Sequence, residues 1–307
     1  MTVSKSIKIF RTAQQLRQWR LQCIRNNKTI GFVPTMGALH DGHCSLVSQS
    51  LSENDGTVVS IFVNPSQFAP HEDLDAYPRT LDGDLKLLSS RFSNVDAVFI
   101  PKLSEMFPSG ITLDVKEQKG AFVSVLGCSE QLEGVTRPQF FRGVATVVTK
   151  LLNAVGPDRV YFGQKDAQQC VVVKNLVKDL LINTEVRVMP TLREQNGLAM
   201  SSRNAYLSPQ TREESSIIYR ALSAGEEYYK NQSLDSVSSS EIKNIINQVL
   251  SQNDKFKIDY LAISHPETLQ DLQLVERGVG AIISTALKAP KENGDGDARL
   301  IDNIILH

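Results

Sequence analysis

The sequence predicts an α/β fold, a parallel sheet followed by a smaller α+β domain, on three observations. Strand and helix signals alternate across residues 1–191, the arrangement that βαβ units and a parallel sheet require. A polar, small-residue loop follows, and beyond it helices precede a cluster of strands. The chain of 307 residues is 41% apolar and 22% charged, enough to bury sizeable cores. Two domains are expected, 1–191 and 192–307.

Element by element, residues 7–10 read as a strand, and Thr12 as the cap of a helix from Ala13. Residues 28–34 are an apolar strand and 41–51 a helix. The β-branched run 57–63 has the look of a buried strand. Residues 81–90 are helical and 97–100 form a short strand. Residues 143–155 repeat apolar positions at helical spacing. A strand (159–162), a helix (167–181) and a strand (184–189) complete the alternation. In the second domain Ser208-Pro209 is a cap-plus-proline start for one helix to about residue 230. Residues 231–240 are serine-rich and read as a surface loop. A helix (241–252) and strands at 258–263, 281–287 and 300–306 follow, with 288–298 an exposed loop.

Basic and acidic residues number 33 and 34, a net charge of −1. That balance gives no broad footprint for nucleic acid or an anionic membrane. No apolar run approaches the ~18 residues of a spanning helix. Cys23, Cys44, Cys128 and Cys170 lie far apart without a CxxC, which fits a reducing, cytoplasmic protein. The first acidic residue is Asp41, so the N-terminus is basic and keeps a mitochondrial compartment as the alternative. The folded signals from residue 7 favour the cytoplasm.

Five segments carry polar chemistry. In VPTMGALHDGH (33–43) an apolar strand runs through a Gly-containing turn into a helix near His40. His40 and His43, three apart, share a face of the first turn. A helix N-terminus with free amides favours anions, and two imidazoles add donors for a phosphate. A metal pair completed by His71 or Cys44, and a purely structural pair, are the alternatives. In YFGQKDAQQ (161–169) Lys165 suits a phosphate and Asp166 a helix cap or Mg²⁺. Gln168 and Gln169 suit a polar substrate. In GLAMSSRN (197–204) two hydroxyls and a guanidinium suit phosphate oxygens. FVNPSQF (62–68) offers Asn64 and Gln67, with Asp73 and Asp75 beyond as a carboxylate pair or as solvated caps. In GVTRPQFFRG (134–143) Arg137 is a carboxylate-binding arginine or a loop residue. The His40/His43, Gln67 and Lys165 turns each follow a strand, so they are expected on one sheet edge.

With these motifs in order along nearly the whole chain, the sequence resembles the pantothenate synthetase (pantoate–β-alanine ligase) family. The resemblance implies a Rossmann-like N-terminal domain, a smaller C-terminal lid domain and a homodimer. It implies an ATP-dependent ligase that condenses pantoate with β-alanine through a pantoyl-adenylate, with Mg²⁺, releasing pyrophosphate and AMP. On that resemblance Met36, Gly37, Ala38, Leu39, His40, Asp41, Gly42 and His43 form an ATP loop. Gly163, Gln164, Lys165 and Asp166 form a second ATP segment, with Asp166 a contact for Mg²⁺. Leu192 contacts the nucleotide, and Met200, Ser201, Ser202 and Arg203 close over the triphosphate. Gln67 and Gln169 bind pantoate, Gln67 also facing β-alanine, and Asn64 and Arg137 lie near the substrate. His43, His40 and Lys165 are the catalytic set. A nucleotidyltransferase acting on a phosphorylated substrate would need more basic partners than Gln67 and Gln169. The sequence departs from the family at Gln164, often Glu; at Phe140, often His; and at Ala167, often aromatic.

Overall fold

Short apolar runs build the sheet of the first part of the chain. They are β1 (Lys8–Phe10), β2 (Ile30–Thr35), β3 (Gly56–Ile61), β4 (Ala97–Phe99), β5 (Arg159–Gly163) and β6 (Glu185–Met189). The computed structural model describes residues 7–70, 72, 74–294 and 296–307. Among these the six strands pair in the order β1-β4-β3-β2-β5-β6, every neighbour parallel. His71 and Asp73 lie outside the described residues.

The strands are joined by α1 (Ala13–Arg25), α2 (Asp41–Glu53), α3 (Leu81–Arg91), the short α4 (Leu103–Met106) and α5 (Glu133–Thr136), α6 (Phe140–Val155) and α7 (Ala167–Asp179). The Thr12 hydroxyl accepts from Gln15 N–H and caps α1, as its sequence predicts. Val33, Val59, Val98 and Tyr161 from the sheet pack with Leu46, Val47 and Leu88 from α2 and α3. Each side chain so buried contributes about 1.5–3 kcal/mol. The parallel α/β class expected from the alternation is the class observed.

Strand order reverses between β2 and β5. From β2 the chain works outward through β3 to β4, then returns to place β5 on the other side of β2. In open α/β sheets, ligands bind beyond the carboxyl ends of the strands at such a reversal. The 36–43 segment leaves β2 there, the 62–67 segment leaves β3, and Gly163 ends β5.

The chain divides into two compact units. One comprises residues to 163 with 172–189, the other 164–171 with 190–307. The second unit therefore includes the start of α7, which a boundary at residue 191 leaves out. It holds α8 (Pro209–Glu214), α9 (Ile217–Asn231), β7 (Ser236–Ser238), α10 (Ser239–Leu250), β8 (Lys257–Ser264), β9 (Leu274–Glu276), β10 (Ala281–Pro290) and β11 (Asp297–Leu306). Strands β8, β10 and β11 form an antiparallel sheet in the order β11-β10-β8, and β7 pairs with β9. Ile217, Ile218 and Leu222 of α9, with Ile242 and Ile246 of α10, share a buried cluster with Ile283 and Leu287 of β10.

Three expectations are corrected here. The single helix from Pro209 is two helices, α8 and α9, broken at Ser215 and Ser216. The hydroxyls of these serines donate back to the Thr211 and Glu213 carbonyls, which disrupts the ladder. The exposed loop at 288–298 is strand at both ends, β10 running to Pro290 and β11 starting at Asp297. The β10–β11 pairing continues through Lys288↔Arg299, Ala289↔Ala298 and Pro290↔Asp297. Ala289 and Ala298 are buried at 0% and 3% exposure, so the polar residues around them hide an inward-facing alternation. The serine-rich loop at 231–240 contains β7, whose Val237 is buried.

Cys23, Cys44, Cys128 and Cys170 are buried thiols. Burial pushes the thiol pKa values of Cys23, Cys44 and Cys128 up. No helix among the described residues is long and apolar enough to cross a membrane.

A polar network joins α2 to the sheet. The Tyr161 hydroxyl, the Gln49 amide and the Arg187 guanidinium each donate to the Glu53 carboxylate at 2.7 Å. These hydrogen bonds, Tyr161 foremost, hold its pKa down at about 2. A carboxyl depressed in the folded state stabilises above its unfolded pKa, and that contribution is lost as pH falls through the folded one. Melting curves from pH 6 to pH 2 should therefore show the wild type losing stability below about pH 4.5 faster than Glu53→Gln. Parallel curves for the two proteins would remove Glu53 from the acid response.

Candidate functional site

The turn after β2 is held from below by a carboxylate. Gly37 has φ +86° and Ala38 φ +49°, a left-handed pair. Glycine relieves the first position, where a Cβ would also stand 3.0 Å from Asp84 Oδ2. Ala38 has no such relief. The amides of Ala38 and Leu39 donate to Asp84 Oδ2 and Oδ1 at 3.0 and 2.8 Å. Asp84, on α3, is 3% exposed and also accepts from the Thr80 hydroxyl at 3.1 Å. Gly37 N–H donates to Thr35 Oγ1 at 3.1 Å.

His40 then caps α2. Its Nδ1 accepts from Gly42 N–H at 3.1 Å, and His43 Nδ1 accepts from His40 N–H at 3.3 Å. The reciprocal pair is a capping box made of imidazoles. The rings lie 4.1 Å apart by centroid. With both Nδ1 atoms accepting, the proton of each neutral ring resides on Nε2. At this helix end the amides of His40 and Gly42 are taken up by the two imidazoles, and those of Ala38 and Leu39 in the preceding turn by Asp84. Asp41 is paired with Arg91 at 2.6 Å, while Met36 is half-buried. Among the described residues no three His, Cys, Asp or Glu side chains gather to hold a metal ion.

The turn after β3 is built from inside. Asn64 is 1% exposed, and its Oδ1 accepts from the Ser66 amide and hydroxyl. Its Nδ2 donates to Gln67 Oε1 at 3.0 Å and to the Gly143 carbonyl at 3.2 Å. Helix α6 packs so closely that a Cβ on Gly143 would stand 2.0 Å from the Ser66 carbonyl oxygen. Only glycine fits there. Arg137 makes a bidentate ion pair with Glu72, at 2.7 and 2.6 Å, and donates to the Gln67 carbonyl at 3.1 Å. Its guanidinium lies 3.8 Å over the Phe140 ring. Asn64 and Arg137, expected at the substrate, both hydrogen-bond the half-buried Gln67, and Glu72 neutralises the guanidinium.

In the second unit, Gln164–Asp166 is a 3-10 turn leading into α7. The Lys165 side chain is 19% exposed, with Nζ 3.6 Å from Asp166 Oδ1. Asn303 of β11 donates through Nδ2 to the carbonyls of Gln164 and Lys165 at 2.8 and 2.9 Å. Gln169 is half-buried and Gln168 buried in the first turn of α7. The 192–203 segment folds on itself. Met200 N–H donates to the Leu192 carbonyl at 3.0 Å, and Arg193 bridges to Ala199. Ser201 caps a 3-10 turn (Ser202–Tyr206) by accepting from Arg203 N–H at 3.2 Å. Behind it Arg193 makes a bidentate pair with Asp302, whose side chain is wholly buried.

The first unit thus brings predicted residues together, His40 with His43 and Asn64 with Gln67, while in the second the predicted Lys165 turn is held by Asn303. Asp84, Gly143, Asp302 and Asn303 escaped sequence reasoning. The faint signal for Asp84 was one of two acids, with Asp82, in the first turn of a predicted helix.

A family model described as pantoate-beta-alanine ligase matches residues 8–305. The pantoate–beta-alanine ligase of Saccharomyces cerevisiae is 51% identical, over 98% of this chain and all of that one. The pantothenate synthetase of Thermotoga petrophila is 45% identical with the same coverage. Among solved structures, pantothenate synthetase from Thermus thermophilus superposes with TM-score 0.84 at 41% identity, covering 97% of this chain and 99% of that one. A pantoate-beta-alanine ligase from Francisella tularensis, complexed with beta-gamma ATP and beta-alanine, gives TM-score 0.73 at 34% identity, covering 98% of each chain. The full-length match, the parallel sheet with its strand-order reversal and the polar turns at its carboxyl edge lead to one conclusion: this chain belongs to the pantoate–β-alanine ligase family of enzymes.

Proposed function

We propose that the enzyme works in two steps. A pantoate carboxylate oxygen attacks the α-phosphorus of ATP, the α–β phosphoanhydride bond breaks and pyrophosphate leaves. The amine of β-alanine then attacks the acyl carbon of the pantoyl-adenylate. The acyl C–O bond breaks, AMP leaves with its electron pair, and the amine gives up a proton. The observation that carries this reading is the pair of imidazoles at the N-terminus of α2, each oriented by an amide at Nδ1. Such a pair stabilises charge that builds on phosphate and offers no nucleophile. The Francisella relative's complex with an ATP species and β-alanine supports the substrates.

In this reading residues 36–43 form the nucleotide loop, and His43 and His40 act from Nε2 on the phosphates. Lys165 neutralises phosphate charge from the Gly163–Asp166 segment. Leu192 contacts the nucleotide, and Met200–Arg203 close over the triphosphate. Gln67 and Gln169 bind pantoate, and Asn64 and Arg137 hold Gln67 in place. Mg²⁺ enters with ATP. The residues present fit a metal carried by phosphate oxygens and water, with Asp166, 45% exposed, as the protein carboxylate. That ion would supply charge neutralisation at the phosphates. A homodimer, which the family resemblance implies, is the assembly to test by light scattering.

The decisive experiment supplies ATP and Mg²⁺ with pantoate alone, then adds β-alanine. Pyrophosphate on pantoate addition, with sustained AMP only after β-alanine, is expected. Silence in both would sink the reading. His43→Ala should slow pyrophosphate release by roughly 10²–10³-fold and leave ATP affinity within a few-fold. A variant altered only in ATP affinity would deny His43 a transition-state role. Gly143→Ala should push the 65–67 turn aside and lower kcat/KM for pantoate on the order of a hundredfold, with ATP binding kept. Unchanged pantoate kinetics would separate the α6 contact from the substrate.

A further inference from the structure

Two neighbours on β11 hold separate parts of the second unit. Asn303, 2% exposed, offers both amide hydrogens to consecutive carbonyls, those of Gln164 and Lys165. Its Oδ1 accepts from Gln164 Nε2 at 3.3 Å. Two carbonyls converge on one amide only while residues 164–166 keep their 3-10 turn, so this contact fixes the backbone from which the Lys165 side chain springs. Asp302, on the opposite face of the strand, takes the fork of Arg193 at 2.6 and 3.0 Å and accepts from Asn303 N–H at 2.8 Å. Arg193 in turn donates to the Gly197 carbonyl at 3.2 Å and lies 3.7 Å over the Tyr219 ring. The segment 139 residues away in sequence is thereby held by a β-strand rather than by its own loop.

The Asn303 side chain is consumed by this task. It lies within the protein at the back of the turn, and its two donors and one acceptor all have partners there. Losing it would take one hydrogen-bond partner from each of the two part-buried carbonyls and the acceptor from Gln164 Nε2, which frees the turn to move.

We propose that Asn303 is a positioning residue for pyrophosphate release, acting through Lys165. The inference rests on the phosphate role proposed for Lys165. A double-mutant cycle tests it: wild type, Asn303→Ala, Lys165→Ala and the double variant, each assayed for pyrophosphate release with ATP, Mg²⁺ and pantoate. Asn303→Ala is expected to lower the rate on the order of ten- to a hundredfold. In the Lys165→Ala background the same change should cost less than about threefold. A purely structural residue would instead multiply its effect onto that of Lys165→Ala, and that result overturns the proposal, as does a wild-type rate in Asn303→Ala. Near-normal turnover in Lys165→Ala alone would overturn the phosphate reading itself, visibly apart from any behaviour of Asn303. Should Asn303→Ala melt well below the wild type, Asn303→Ser, which keeps one donor, replaces it in the same cycle. The same two outcomes then decide.

Discussion

The carboxylate of Asp84 reaches two consecutive amides, and the geometry of the turn that leads to His40 and His43 depends on it. Ala38 occupies a left-handed conformation that a residue with a Cβ keeps only when its surroundings over-determine it. Asp84 does so with one oxygen for each amide. The turn it enforces delivers His40 to the cap of α2, and the cap delivers His43 beside it. The Nδ1 atoms of the two rings take the amides of Gly42 and His40, which fixes how each imidazole is oriented.

The same logic recurs in the other turns, with different chemistry. A neutral buried amide, Asn64, ties Gln67 to α6, and the missing side chain of Gly143 lets the helix come close enough to be tied. Arg137 is neutralised by Glu72 and stacked on Phe140. The aromatic ring at position 140 therefore serves as a platform for a guanidinium. In the second unit Asn303 and Asp302 hold a turn and a loop from the two faces of one strand. In every case a short, polar, chemically useful segment gets its rigidity from a buried partner elsewhere in its own unit. Pre-orientation of this kind lowers the cost of reaching a reactive geometry.

Much of this was legible in the sequence, and the failures have identifiable causes. The βαβ order came from hydrophobic period and caps such as Thr12, which act within a few residues. The polar turns were visible because each follows an apolar strand directly. The β10–β11 extension was missed because lysine, glutamate and aspartate surround the buried Ala289 and Ala298. The break between α8 and α9 was missed because two adjacent serines look tolerable in a helix until their hydroxyls turn back on the carbonyls. Asn64 and Arg137 were expected near the substrate; that both hydrogen-bond Gln67 could not be read, since an exposed binder and a buried brace are the same letter.

By itself the sequence determined the α/β class, the order of the elements, the family and the contiguous motifs that bear imidazole, ammonium and guanidinium groups. All of these are local patterns, written in residues that are close neighbours along the chain. Only the tertiary structure decided which buried residues hold those motifs still: Asp84 under the turn after β2, Gly143 against the turn after β3, and Asn303 behind Lys165. Those partners lie 46, 77 and 138 residues from the groups they touch. A hydrogen bond across such a span leaves no period, cap or spacing to read, because the fold creates the proximity that makes it.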